Sequence, residues 1–214
     1  MMNLAEIVAR IRPVDQNWIA KARERTAQLV MPARALGRLH DIAEQLCGIQ
    51  RTLQPSISRK AILVMAGDHG IAGEGVSAYP QDVTGAMVHT FLAGGGGINA
   101  ISRQVGADVF VVDVGTMANF DGLDLQGREK LIARKVARGT ASFTRGPAMS
   151  LAEAEQSIFT GFQEASRLFE GGGNSTSRSS ICDAVAVSLA RSIRYRHSEG
   201  RWSKSSGPPR HRLS

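Results

Sequence analysis

The sequence predicts an α/β protein: a parallel, Rossmann-like sheet flanked by helices, incomplete, with an N-terminal helical segment before it and a disordered basic tail after it. Three observations predict this. Ala61–Ala66 and Ala107–Val114 are short, mostly apolar runs, as strands covered on both faces of a parallel sheet must be. Segments of helical periodicity stand around and between them, the alternation that builds such a sheet. After about residue 170 the chain turns to Ser, Gly and Arg, a composition that cannot bury a core.

Residues 4–12 and 16–30 have helical periodicity and are separated by Pro13. Pro32 interrupts, and Leu36–Leu46 restores an apolar stripe spaced i, i+3, i+7, which predicts an amphipathic helix. Residues 51–59 form a polar connector containing Pro55, and the first strand comes next at 61–66. A Gly-rich loop runs to Pro80, after which Asp82 is placed to cap a helix reaching Leu92. Gly94–Gly97 break that helix. Ile98–Val105 reads as another, stopped by Gly106, and the strand 107–114 comes next. Leu131–Val136 is predicted as a third strand and Gly139–Pro147 as irregular. Met149–Phe169 is helical, with Ser150 at its start and Glu153 at capping-box spacing. Beyond the Gly/Ser/Arg stretch 171–180, only Ile181–Ile193 has the pattern of a further helix. The division is therefore 1–50, an N-terminal helical segment belonging to a small domain; 51–170, a partial α/β domain; and 171–214, a low-complexity Ser/Arg-rich tail.

With 43% apolar and 21% charged residues, the chain has the composition of a globular protein. Its net charge of +7 does not make a nucleic-acid surface. Eight of the 26 Lys/Arg and two of the 19 Asp/Glu fall in residues 171–214, so +6 resides in the tail and the body is nearly neutral. Cys47 and Cys182 match no metal or redox spacing. No stretch approaches the roughly 20 apolar residues of a membrane span, and Glu6 interrupts any leader-like run, so a cytoplasmic location is expected.

The strand 61–66 delivers Gly67-Asp68-His69-Gly70 to its carboxyl end, where open α/β sheets place ligands. A carboxylate and an imidazole there can act as base, metal ligand or positioning pair. Equally, Asp68 can cap a turn and His69 satisfy buried backbone groups, and the divergence of adjacent side chains favours this for the dipeptide alone. Gly94–Gly97 follow a helix rather than a strand and lack the spacing of a phosphate loop, so a tight helix-to-helix connection is the stronger reading. Asp113 and Gly115 end the second strand and can face a ligand or a turn. Arg138-Gly139-Thr140 and Arg145-Gly146-Pro147 can offer cations and amides to a phosphate or serve as surface turns.

Taken in order, these segments carry a resemblance. Leu36-Gly37-Arg38-Leu39, Ala66–Gly70, Glu74–Gln81, Val83-Thr84 and Asn99 are followed by Arg103-Gln104, Gly106-Ala107, Val111–Gly115, Arg138–Thr140 and Gly146–Ser150. This series, spread over about residues 15–165, resembles the nicotinate-nucleotide:dimethylbenzimidazole phosphoribosyltransferases of cobalamin assembly. The resemblance implies transfer of phosphoribose from nicotinate mononucleotide to 5,6-dimethylbenzimidazole, giving α-ribazole 5′-phosphate and nicotinate. It implies no cofactor or metal, and a homodimer. By position it implies Tyr79 and Met87 as lining of the base slot, with Asp68, His69 and Glu74 shaping the same loop. An aromatic ring and a thioether suit a flat bicyclic base, or ordinary core packing.

The family's Gly-Glu-x-Gly-x-x-Asn-Thr-Thr block and its later catalytic glutamate have no counterpart in Gly171-Gly-Gly-Asn-Ser-Thr-Ser-Arg178 or in residues 179–214. The resemblance therefore assigns no catalytic residue. The expectation is a truncated or frameshifted product that is inactive, with a non-catalytic benzimidazole-binding fragment as the alternative.

Overall fold

The computed structural model describes residues 4–122, 124–170 and 183–189. Three helices lead: α1 (Leu4–Ala9), α2 (Gln16–Ala27) and α3 (Arg38–Gln50). Asp15 starts α2 by accepting the Asn17 amide at 3.1 Å, a side-chain cap on an otherwise orphaned donor. Helix α3 lies so close to the start of α2 that a Cβ at Gly48 would stand 2.6 Å from Val14 Cγ1. Buried Glu44 of α3 is held by Arg23 of α2 at 2.8 Å.

Strand β1 (Lys60–Gly67) is followed by a short 3-10 helix (Gly70–Glu74), α4 (Val83–Leu92), α5 (Gly97–Val105) and β2 (Ala107–Gly115). A second 3-10 turn (Arg128–Lys130) enters β3 (Leu131–Ala133). Helix α6 (Leu151–Glu170) then crosses to β4 (Asp183–Leu189). All pairings are parallel, in the order β3-β2-β1-β4.

The central strands are buried on both faces, which is why they read as continuous apolar runs. Val64, Ala66, Val109 and Val111 pack with Val88, Phe91 and Leu92 of α4 and with Phe120. On the opposite face Leu63, Val112 and Ile132 meet Ala165 and Leu168 of α6. The result is a helix–sheet–helix sandwich.

Local expectations fare unevenly. Gly106 stops α5 in the left-handed conformation (φ 64°), and Gly94–Gly97 join α4 to α5. Asn99 secures that joint, accepting the Gly96 amide at 3.1 Å and donating to the Phe91 carbonyl at 3.0 Å. Ser150 and Glu153 form the capping box: the Ser150 amide reaches Glu153 Oε2 at 2.7 Å and the Glu153 amide reaches Ser150 Oγ at 3.2 Å.

Asp82, by contrast, makes no side-chain cap. Its backbone is already helical (φ −60°, ψ −20°) rather than extended as a capping residue's is, and the Thr84 amide is taken by the Gln81 carbonyl. Strand β3 ends three residues earlier than expected. The segment beyond it stays on β2, however, through the Arg134 amide to Asp113 O and the Val136 amide to Val114 O, both 2.9 Å.

The predicted helix at Ile181–Ile193 is corrected by β4, which pairs with β1 from Lys60↔Asp183 to Ala66↔Leu189. Ala184-Val185-Ala186-Val187 suits a strand, and β1 offers a row of backbone donors and acceptors that only another strand satisfies. The rest of the expected disordered tail, residues 171–182 and 190–214, lies outside the described residues.

Candidate functional site

The chain passes from β1 to β2 and β3 on one side, then returns through α6 to β4 on the other. The order reverses between β1 and β4. In open α/β sheets the crevice outside the carboxyl ends of the strands at such a reversal is where ligands bind. The residues released there by β1 are Gly67, Asp68 and His69.

The segment after β3 forms the floor. It runs across the ends of β2 and β1, with the Gly139 amide on Gly115 O and the Thr140 amide on Asp68 O, both at 3.0 Å. Gly70 permits this crossing, because a Cβ there would lie 2.4 Å from the Thr140 carbonyl oxygen. Gly139 sits at φ 70° directly above Asp68 O, where any side chain is strained. A cleft of about 480 Å³ results. Its polar groups come from Asp68, His69, Thr140, Ser150, Glu153 and Ser157, and its apolar wall includes Val114, Val136, Pro147 and Met149.

The structure assigns different work to the sequence-selected residues. Asp68 is buried, and its Oδ2 accepts the Met117 amide at 2.8 Å, so the carboxylate ties the β1 loop to the β2 loop. His69 lines the cleft beside it, and among the described residues its imidazole has no hydrogen-bond partner. Glu74 lies in an adjoining cleft of about 450 Å³ with Gly70, Ser142 and Arg145. Tyr79 is 69% exposed and Met87 packs against the α4 core; neither lines these two clefts.

Asp113 turns inward. Its Oδ1 accepts the Gly115 and Thr116 amides and its Oδ2 faces Lys135 Nζ at 3.1 Å. Arg138 lines a separate depression with Asp121 and Arg128, and Arg145 is 3.8 Å from Glu74. Among the described residues no three His, Cys, Asp or Glu side chains converge on a metal-sized site.

Sequence reasoning missed Ser157 and Lys135 as contributors. Ser157 was legible: it stands seven residues after Ser150, two helical turns on and on the same face of α6. Lys135 gave no local signal, because its partners are carbonyls 17 and 19 residues away.

Glu153 has a further property. The backbone amide of Ser150, and then its hydroxyl, hold the Glu153 carboxyl below the usual carboxylate range. Because the folded value is depressed, the stabilisation is present above the unfolded value of about 4.3 and is lost as pH falls through the folded value. Amide exchange in the first turn of α6 is expected to accelerate, relative to its intrinsic rate, across that acid window. A Glu153 carboxyl titration centred at or above the ordinary glutamate value would contradict this.

A phosphoribosyltransferase family model matches residues 11–178, most of the chain. The chain belongs to the nicotinate-nucleotide:dimethylbenzimidazole phosphoribosyltransferase family. A family member of that name from Desulfotalea psychrophila is 46% identical over 165 residues, 77% of this chain and 46% of that protein. The one from Geobacter metallireducens is 40% identical over 207 residues, 92% of this chain and 57% of that protein. A crystal structure of the family enzyme from Thermus thermophilus superposes with a TM-score of 0.69 at 39% identity, covering 81% of this chain and 49% of that one. The chain spans about half the length of the curated relatives it matches. Among the described residues no helix is long and apolar enough to cross a membrane.

Proposed function

We propose that this chain carries the substrate-holding part of the transferase that moves phosphoribose from nicotinate mononucleotide to 5,6-dimethylbenzimidazole in cobalamin biosynthesis. The observation that carries this reading is the cleft at the carboxyl ends of β1 and β2. It is built from the segments 67–69, 139–140 and 147–150, through which the family resemblance runs. Residues 51–170 hold the substrates in this reading, and residues 1–50 belong to a small helical domain. The enzyme works in the cytoplasm as a homodimer without cofactor.

The nucleotide lies in the cleft, with His69 free to donate or accept a hydrogen bond. The flat base lies against Tyr79, with Met87 behind it. A phenol ring that is 69% exposed is a large apolar face in want of cover, which is what a stacking platform supplies. Holding the two reactants together in one orientation supplies much of the acceleration in such a transfer.

A second reading, a benzimidazole-binding unit without chemistry, is favoured by one observation. The carboxylates lining the cleft, Asp68 and Glu153, each spend an oxygen on a backbone amide, that of Met117 and that of Ser150, which leaves neither side chain wholly free to reach a proton on a bound substrate.

Calorimetric titration with dimethylbenzimidazole, followed by a turnover assay with nicotinate mononucleotide, separates the two. The expected result for the chain by itself is saturable heat with nicotinate mononucleotide as well as with dimethylbenzimidazole and no α-ribazole 5′-phosphate above the no-enzyme control; heat with dimethylbenzimidazole alone favours the binding unit. Product above that control favours the transferase over the binding unit, and no heat at millimolar ligand sinks both. Tyr79→Ala is expected to weaken base binding about tenfold, the loss of roughly 1–1.5 kcal/mol of stacking. Unchanged affinity would remove Tyr79 from the site.

A further inference from the structure

The segment Ala141–Ala148 stands between the two clefts, and its ends meet: the Ala141 amide donates to the Ala148 carbonyl at 2.8 Å. Inside this neck the Arg145 amide turns back onto Ser142 O at 3.2 Å. One face of the loop presents Pro147 and Ala148 to the cleft that contains His69. On the other face one carboxylate oxygen gathers three side chains of the loop. Glu74 Oε1 accepts hydrogen bonds from the Ser142 and Thr144 hydroxyls, which also stand 2.8 Å from each other, and Arg145 Nε lies 3.8 Å away.

Two hydroxyls and a guanidinium thus converge on a carboxylate from an element 68 to 71 residues earlier in the chain. That element, the 3-10 helix Gly70–Glu74, is otherwise glycine, alanine and isoleucine, which leaves Glu74 as its one charged residue.

We propose that Glu74 is a positioning residue: it latches the Ala141–Ala148 loop onto the 3-10 helix after β1, and so sets the distance between the Pro147–Met149 wall and His69. The substrate-side consequence rests on the proposed function; the latch itself does not. Loss of the latch leaves the neck bond and the Arg145 turn without this side-chain support, and the wall no longer has a fixed position against which a substrate can be oriented. The Ser142 and Thr144 hydroxyls keep the Glu74 carboxyl below the usual carboxylate range, as donors to an ionised acceptor must.

The test uses the full chain with Glu74→Ala, Glu74→Gln and the double variant Ser142→Ala/Thr144→Ala, read by hydrogen–deuterium exchange and by calorimetry. In Glu74→Ala and in the double variant, exchange at the Ala141 and Arg145 amides is expected to rise about tenfold while β1 and β2 amides stay as they are. Glu74→Gln keeps an acceptor oxygen and is expected to stay within roughly threefold of the original protein. Dimethylbenzimidazole or nicotinate mononucleotide binding is expected to weaken about tenfold in Glu74→Ala and to recover in Glu74→Gln. Unchanged exchange at 141–148 in Glu74→Ala overturns the latch, as does a rise spread equally over the sheet. If the original protein binds neither ligand, the proposed function fails, and the exchange data still decide the latch.

Discussion

Replacing both Arg134 and Arg167 with alanine is expected to cost the fold about 3–5 kcal/mol, the penalty of stripping a buried charge of its partners. Glu164 on α6 is only 2% exposed. Its Oε1 accepts from Arg134 Nε at 2.7 Å and its Oε2 from Arg167 Nε at 2.8 Å. Either arginine alone leaves one ion pair in place, so each single variant is expected to lose much less than the double. Urea melts of the two single variants and the double measure these losses. Equal losses for the singles and the double would show that Glu164 is not the stressed group.

The second large effect is expected at Lys135. Its ammonium donates to the Thr116 carbonyl at 2.7 Å and the Ala118 carbonyl at 2.6 Å, and faces Asp113 Oδ2 at 3.1 Å. Asp113 is 3% exposed. Lys135→Met keeps the aliphatic stem and removes every one of these contacts. The loss is expected to be about 3 kcal/mol, at the low end for a broken buried pair because the Gly115 and Thr116 amides still serve the Asp113 carboxylate. Adding Asp113→Asn to Lys135→Met should recover part of the loss, since the uncompensated charge is then gone. Strictly additive losses in that double-mutant cycle would rule out the coupling. Lys135 also pins the loop whose Met117 amide holds Asp68, so ligand affinity at the proposed site should fall with stability.

The sheet was legible wherever a strand had to be apolar on both faces. Ala61–Ala66 and Ala107–Val114 carry that demand in their residues, and both stand as β1 and β2. The Ser150–Glu153 box was legible because a cap is a local exchange of hydrogen bonds set by spacing alone. Asp82 failed because its spacing is right but its backbone is already helical, a conformation the sequence does not spell out. Strand β4 was not legible, because Asp183–Leu189 takes its state from the open side of β1 and no window of sequence contains that side. At the site, Asp68 and His69 were found by their place at a strand end, yet their roles were not separable. Only the Met117 amide, 49 residues away, distinguishes the carboxylate that ties loops from the imidazole that does not.

The reversal of strand order beside the cleft also fixes when the sheet can close. Strands β1, β2 and β3 and the 134–140 floor lie within one continuous stretch, so three strands and most of the cleft can assemble early. The β1–β4 pairing joins residues about 120 positions apart, and so long a closure carries an entropic cost that must be met before any contact rewards it. On the ribosome, that side of β1 stays bare until β4 emerges. During that interval its exposed edge is the part of the molecule most open to pairing with another chain. Yield should therefore depend on temperature and chain concentration during synthesis more than on the final stability of the sheet.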